Sequence, residues 1–216
     1  MPSNHEEHVQ YTNYEWKNII YFLNLLNYLK NNNIKNIIDV GANVGEVTNI
    51  LLEDIPSIEK IYLFEPEYNN YSFIEKRFKE NKKIITYNYG IYYGADKLNM
   101  YRCDDNVGGF SLQQIGSIKS EIVSLKTFEE FNFLNIDFIK FDVEGSEYNI
   151  LKNSKFIKDI KFIEIEIHEA GIDPDINYSD KEQRKKIITE RYFNRYLPNH
   201  RVVYDWESHF FLEKTI

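Results

Sequence analysis

Ile37-Ile38-Asp39-Val40-Gly41-Ala42-Asn43-Val44-Gly45 is the stretch on which the fold turns. Its first four residues are an apolar run carrying one carboxylate, short enough for a buried strand. Gly41 and Gly45 then suit a tight turn in which the backbone comes close to a ligand and swings into a helix. Residues 47–52 continue at helical spacing and break before Pro56. The free N–H groups at such a helix start suit a carboxylate or phosphate. Asp39, at the strand's end, is placed to face the positive amino acid portion of a ligand. An ordinary strand-to-helix turn is the competing reading, and the surrounding sequence has to separate the two.

Downstream, residues 61–64 read as a second strand ending on Glu65-Pro66, residues 71–80 as a helix and residues 83–89 as a third strand. Strand, helix, strand, helix, strand is the doubly wound α/β pattern, and short apolar strands fit a mostly parallel sheet covered on both faces. Upstream, residues 14–30 carry Trp16, Ile19, Ile20, Leu23 and Leu26 at helical spacing, and Asn31-Asn32-Asn33 ends that helix. Residues 1–34 are therefore expected as a helical segment packed on the core of a single domain formed by residues 35–216. Further on, residues 97–102 read as an edge strand, 104–109 as a turn or mobile loop and 121–125 as a short strand. A buried strand at 137–141 leads into a helix reaching about residue 151, and 162–167 is another strand. Residues 180–196 read as a solvent-facing helix. Residues 201–205 and 209–212 form two strands joined by a tight turn at Trp206-Glu207-Ser208.

The composition fits one soluble domain of 216 residues, with 43% hydrophobic and 28% charged residues. With 9 glycines and 5 prolines, long linkers are not expected. The 17 tyrosines accompany abundant Asn, Ile and Lys, a bias that AT-rich codons explain, so they are no signal for ligand stacking. A bacterial or viral source fits that bias. The net charge of -8 argues against general nucleic-acid binding. Cys103 is the single cysteine, so no internal disulfide forms. The polar, acidic start lacks the regions of a signal peptide, and no apolar run approaches the ~18 residues of a membrane span. A cytoplasmic protein without membrane insertion is expected.

Two further segments give the turn its chemistry. Glu65 stands 20 residues after Gly45, at the end of the next strand, where a carboxylate can accept both hydroxyls of a ribose. Asp137-Phe138-Ile139-Lys140-Phe141-Asp142-Val143-Glu144-Gly145 is an apolar strand ending in two carboxylates before a helix. Ligands of open α/β sheets sit beyond the carboxyl ends of the strands, so Asp142 and Glu144 should share a crevice with Asp39 and Glu65. The competing reading of Glu144 is charge complementarity at a helix start. A dinucleotide site would show G-x-G-x-x-G, but Asn43 stands where the second glycine would admit a pyrophosphate. That favours S-adenosylmethionine.

Together these residues resemble the FkbM-like family of class I S-adenosylmethionine-dependent methyltransferases. The resemblance rests on I-I-D-V-G-A-N-V-G (37–45), Y-L-F-E-P-E (62–67), V-S-L-K-T-F (123–128), D-F-I-K-F-D-V-E-G-S-E (137–147) and F-I-E-I-E-I-H (162–168), and spans about residues 35–170. It implies a seven-stranded, Rossmann-like sheet with a C-terminal antiparallel hairpin, and the separate reading of 201–212 agrees. It also implies O-methylation of a sugar or another small hydroxylated molecule. The family's L-D pair before the D-V-E-G strand stands here as Leu125-Lys126, without the acidic residue, so no site role is carried to that position. The cofactor set is then Asp39, Gly41, Asn43, Gly45, Glu65, Pro66, Asn88 and Asp142.

Methyl transfer to oxygen needs an aligned acceptor and a place for its proton. His168, at the end of the 162–167 strand, is the preferred base, since an imidazole titrates near neutrality. Asp142 and Glu144 would orient the acceptor or hold His168. A divalent cation on Asp142, Glu144, His168 and Glu169 is a second, less favoured arrangement. His5, His8, His200 and His209 read as surface or structural. Gly108-Gly109-Phe110-Ser111 is a candidate cover for a small-molecule or glycan acceptor. The alternatives are a methyltransferase acting on another small metabolite or on RNA, or a binding module without catalysis.

Overall fold

A computed structural model describes residues 20–102, 110–112, 118–168, 180–206 and 208–215. Trp16, Ile19, His5, His8, Cys103, Gly108, Gly109, Glu169 and Glu207 lie outside the described residues. Helix α1 (Ile20–Asn31) leads into β1 (Asn36–Val40), α2 (Glu46–Asp54), β2 (Lys60–Phe64), α3 (Tyr68–Phe78) and β3 (Ile84–Tyr87). Strands β4 (Gly90–Ile91), β5 (Lys97–Arg102), β6 (Phe110–Ser111) and β7 (Ile118–Lys126) follow. Then come β8 (Phe138–Phe141), α4 (Glu147–Asn153), β9 (Phe162–Glu166), α5 (Lys181–Ile188), β10 (His200–Trp206) and β11 (His209–Lys214).

The main sheet has seven strands in the order β10-β11-β9-β8-β1-β2-β3. β3, β2, β1, β8 and β9 are parallel, and β11 and β10 close the far edge as the antiparallel pair. The chain leaves β1 toward β2 and β3 and later returns to its other side with β8 and β9. β1 and β8 therefore flank the switch point, beyond whose carboxyl ends such sheets bind ligands.

Side chains alternate across the sheet, and each face has its own core. Ile37, Phe138, Phe162 and Phe211 point toward α1 and α2 and pack with Phe22, Leu25, Leu29, Ile50 and Leu51. Ile38, Ile139, Ile163, Phe210 and Leu212 point the other way and pack with Ile150, Leu151, Ile188 and Phe193. Helix α1 thus shares its core with the sheet.

Two sequence expectations are corrected. The 97–102 strand is not at an edge, since β5 lies between β7 and β6, and the short 121–125 strand is part of β7, nine residues long, in a second, four-stranded sheet of order β4-β7-β5-β6. That sheet has a small core of Met100, Val123 and Leu125. The 180–196 segment is not simply solvent-facing. After α5, residues Thr189–Phe193 widen into a π-helical turn, and Ile188, Tyr192, Phe193 and Leu197 are buried against the sheet. The wider turn brings Tyr192 and Phe193, adjacent in sequence, onto the buried side together. Among the described residues, no helix is long and apolar enough to cross a membrane.

Candidate active site

Strand register sets the site. Asp39 pairs across the sheet with Lys140, and Lys140 with Glu164. Two residues further along, on the same face, Asp142 and Glu166 follow, and Glu166 pairs with His209. The apolar face that packs on α1 and α2 therefore ends, at the carboxyl edge, in charged rows.

Lys140 is the centre of these rows. It is 3% exposed, its Nζ lying 3.5 Å from both Asp39 Oδ1 and Asp142 Oδ2 and 3.3 Å from the Gly41 carbonyl. Burial alone would lower its pKa, but Asp142 and Asp39 overcome that and raise it, so the ammonium is permanent. Asp39 is fully buried and also accepts a 2.7 Å hydrogen bond from Thr48 Oγ1. Burial raises its pKa against the pull of Lys140 and Thr48. It stands at the end of β1, with Lys140 between it and Asp142. Sequence reading passed over Lys140, although a lysine inside Phe-Ile-Lys-Phe is itself a sign of a paired buried charge.

The two glycines of the turn are closely packed. Both have positive φ, 78° at Gly41 and 77° at Gly45. A Cβ on Gly41 would lie 1.7 Å from the Asp142 carbonyl oxygen, and one on Gly45 would lie 2.5 Å from the Phe78 ring. The end of the 137–145 segment and α3 thus lie directly against these two backbones. Arg77 of α3 secures the same turn, donating to the Val44 carbonyl at 2.8 Å and pairing with the buried Glu46.

Glu65, 5% exposed, sits at the end of β2. Its Oε2 accepts from the Asn43 N–H at 2.7 Å and its Oε1 from the Glu67 N–H at 2.9 Å. Burial pushes its pKa up to about 8. Each oxygen keeps a lone pair for a further donor, which fits the diol of a ribose. Asn88 Nδ2 donates to the carbonyls of Glu65 and of half-buried Pro66, both at 3.0 Å. It pins the Glu65-Pro66 bend and so acts on the position of Glu65.

The third wall joins Asp142, Glu144 and His168. His168 Nδ1 hydrogen-bonds Glu147 Oε1 at 2.8 Å. Its Nε2 lies 3.4 Å from Glu144 Oε2, 3.7 Å from Glu166 Oε1 and 3.9 Å from Asp142 Oδ1. Burial favours the neutral imidazole, but the bond to Glu147 and the charges of Glu147, Asp142 and Glu144 prevail and raise the pKa to about 10. The expectation of titration near neutrality is corrected: this imidazole already holds its proton at pH 7. Burial, with Asp142 alongside, pushes Glu144 up to about 8, whereas Lys140 and His168 outweigh burial and hold Asp142 below the usual range. Glu144 adopts φ 50° in the turn before α4, and Ser111 of β6 donates to its carbonyl oxygen. The second sheet is thereby tied to this wall. Sequence reading missed Glu147 and Glu166, the latter because only the β8–β9 register brings it beside Asp142. His209, 8% exposed, pairs with Glu164 at 2.9 Å, and His200 bonds the Ile160 carbonyl at 2.8 Å.

Comparison with known proteins gives these residues a family. The model of the methyltransferase FkbM domain matches residues 39–194. Among solved structures, the methyltransferase FkbM from Methylobacillus flagellatus KT superposes with a TM-score of 0.54 at 16% identity. That match covers 83% of this chain and 44% of the other, so the chain spans less than half of that protein's length. The Methanococcus jannaschii fibrillarin pre-rRNA processing protein gives 0.51 at 16% identity, covering 84% of this chain and 67% of the other. A fibrillarin/Nop5p complex gives 0.52 at 15%, covering 85% and 73%. These similarities show a shared fold. A search of curated protein sequences gives no match. The match of the family model over most of the chain, including the turn, Glu65, the Asp142–Glu144 segment and His168, establishes that the chain belongs to the methyltransferase FkbM domain family.

Proposed function

We propose that this methyltransferase uses S-adenosylmethionine to methylate a hydroxyl group of a sugar, nucleotide sugar or glycan. The observation that carries the reading is one edge of one sheet: a buried carboxylate fit for a ribose, Glu65, and a polar wall of Asp142, Glu144 and His168 at the ends of neighbouring strands. When bound, the cofactor supplies a methyl group already activated on a sulfonium. Glu65 would hold its ribose, the 41–45 turn would face its amino acid portion, and Asp142, beside the permanent charge of Lys140, would bound the site. A cationic sulfonium suits an edge lined by carboxylates.

Asp142, held ionised by Lys140 and His168, accepts a hydrogen bond from the acceptor's hydroxyl and takes the departing proton, and Glu144, which keeps its own proton near neutral pH, donates to the acceptor. His168, held by Glu147, orients them through its own charge. Alignment of the oxygen supplies much of the rate, and a positioned base typically adds ~10²–10⁴-fold. An RNA acceptor fits less well, because its phosphates would meet the carboxylates of Asp142, Glu144 and Glu166.

Calorimetry with S-adenosylhomocysteine, followed by transfer of labelled methyl to a panel of nucleotide sugars, free glycans and RNA transcripts, tests the reading. Binding plus label in the sugar fraction is expected. No binding at millimolar cofactor would overturn the enzyme, and label confined to RNA would overturn the acceptor class.

A further inference from the structure

The Asp142, Glu144 and His168 side chains each offer one ligand atom, and these three atoms lie within 4.8 Å of one another. The set is mixed, two oxygens and one nitrogen. The nitrogen is aimed: His168 Nδ1 is taken by Glu147 at 2.8 Å, so Nε2 is the atom turned to the carboxylates. Among the described residues that Nε2 makes no hydrogen bond. Instead it faces three carboxylate oxygens, from Glu144, Glu166 and Asp142, at 3.4, 3.7 and 3.9 Å. Atoms bonded to each other would sit closer. Atoms sharing a central ion at about 2.1 Å would stand apart by roughly 3 Å or more. A carboxylate that fixes the far nitrogen of a histidine is also the usual support of a metal-binding imidazole.

We propose that Asp142, Glu144 and His168 form a binding site for a divalent cation of the Mg²⁺ or Mn²⁺ type. Oxygen donors with one imidazole match such ions, and the absence of a thiolate among them disfavours softer ones. Asp142 is 26%, Glu144 32% and His168 21% exposed, so three ligands leave coordination positions open on the solvent side. A cation there would replace the proton of His168 and offset the surplus of carboxylates. Resting on the O-methylation reading, it would also accept the acceptor's hydroxyl oxygen and acidify that hydroxyl. Glu166, next to the same nitrogen and not required as a ligand, stands ready to receive the proton.

The test uses the full chain, freed of metal with a chelator, and Mn²⁺ as the probe, followed by its electron paramagnetic resonance signal. The wild type is expected to bind one Mn²⁺ with micromolar to sub-millimolar affinity, and Glu144→Gln and His168→Asn each to lose tenfold or more. Glu213→Gln, at the surface pair with Arg201, is the control and should match the wild type. Mn²⁺ remaining free at millimolar concentration, or bound equally by all four proteins, overturns the site. Circular dichroism identifies a misfolded variant, and the other variant then decides. S-adenosylhomocysteine titrated into the same samples keeps the two readings apart. Cofactor binding without Mn²⁺ binding removes the cation site alone, and Mn²⁺ binding without cofactor binding removes the methyl-transfer reading alone.

Discussion

Lys140 Nζ lies 3.5 Å from Asp39 Oδ1, an ion pair with both partners almost wholly enclosed that links β8 to β1 beneath the crevice. Removing one member of a buried pair leaves the other charge stranded, at a cost of about 3–5 kcal/mol. Lys140→Met strands both Asp39 and Asp142. It is expected to lower the unfolding free energy in urea by an amount of that size. Adding Asp39→Asn should recover part of the loss, because the stranded charge goes with it. A Lys140→Met protein within 1 kcal/mol of the wild type would show the pair to be dispensable.

Glu65 ties stability to pH. Its folded pKa of about 8 stands above its ordinary value of 4.5, so between those values the native chain holds a proton that the unfolded chain has lost. Stability from this group is undiminished below about pH 4.5 and declines as pH rises toward 8. Glu65→Gln resembles the protonated side chain and should remove that decline. At pH 5 the variant should melt near the wild type, and at pH 9 it should be the more stable of the two by about 4 kcal/mol. Its affinity for S-adenosylhomocysteine should fall at least tenfold. Parallel melting curves across pH would refute the assignment of the shift to Glu65.

Gly41 and Gly94 separate crowding from backbone strain. Both have positive φ, 78° and 106°, but a Cβ on Gly94 meets nothing within 4 Å, whereas one on Gly41 strikes the Asp142 carbonyl oxygen. Gly94→Ala should cost about 1 kcal/mol from strain alone. Gly41→Ala should cost about 3 kcal/mol or more and disturb cofactor binding as Asp142 moves. Equal losses in chemical denaturation would mean that the close approach has no energetic weight.

The main sheet was readable because its strands are short apolar runs, such as Ile61–Phe64, each closed by a polar residue. Glu65 and Asp142 were readable because strand ends are where such sheets bind ligands. The second sheet was not, since Ile118–Lys126 mixes charges with Ile and Val and its partners are local only after folding. Nor was the electrostatic character of His168. That depends on Glu147, the first residue of α4, whose approach sequence spacing does not report, and on Glu166, two residues before His168. The tight packing at Gly41 was hidden for a similar reason. The neighbour that requires a glycine there is 101 residues further along the chain.

That contact between Gly41 and Asp142 couples two parts of the protein that would otherwise vary separately. The turn after β1 and the end of β8 meet through bare backbone, which leaves no slack for side-chain substitution to adjust their spacing. Anyone re-engineering this protein should therefore leave the β1–β8 seam untouched.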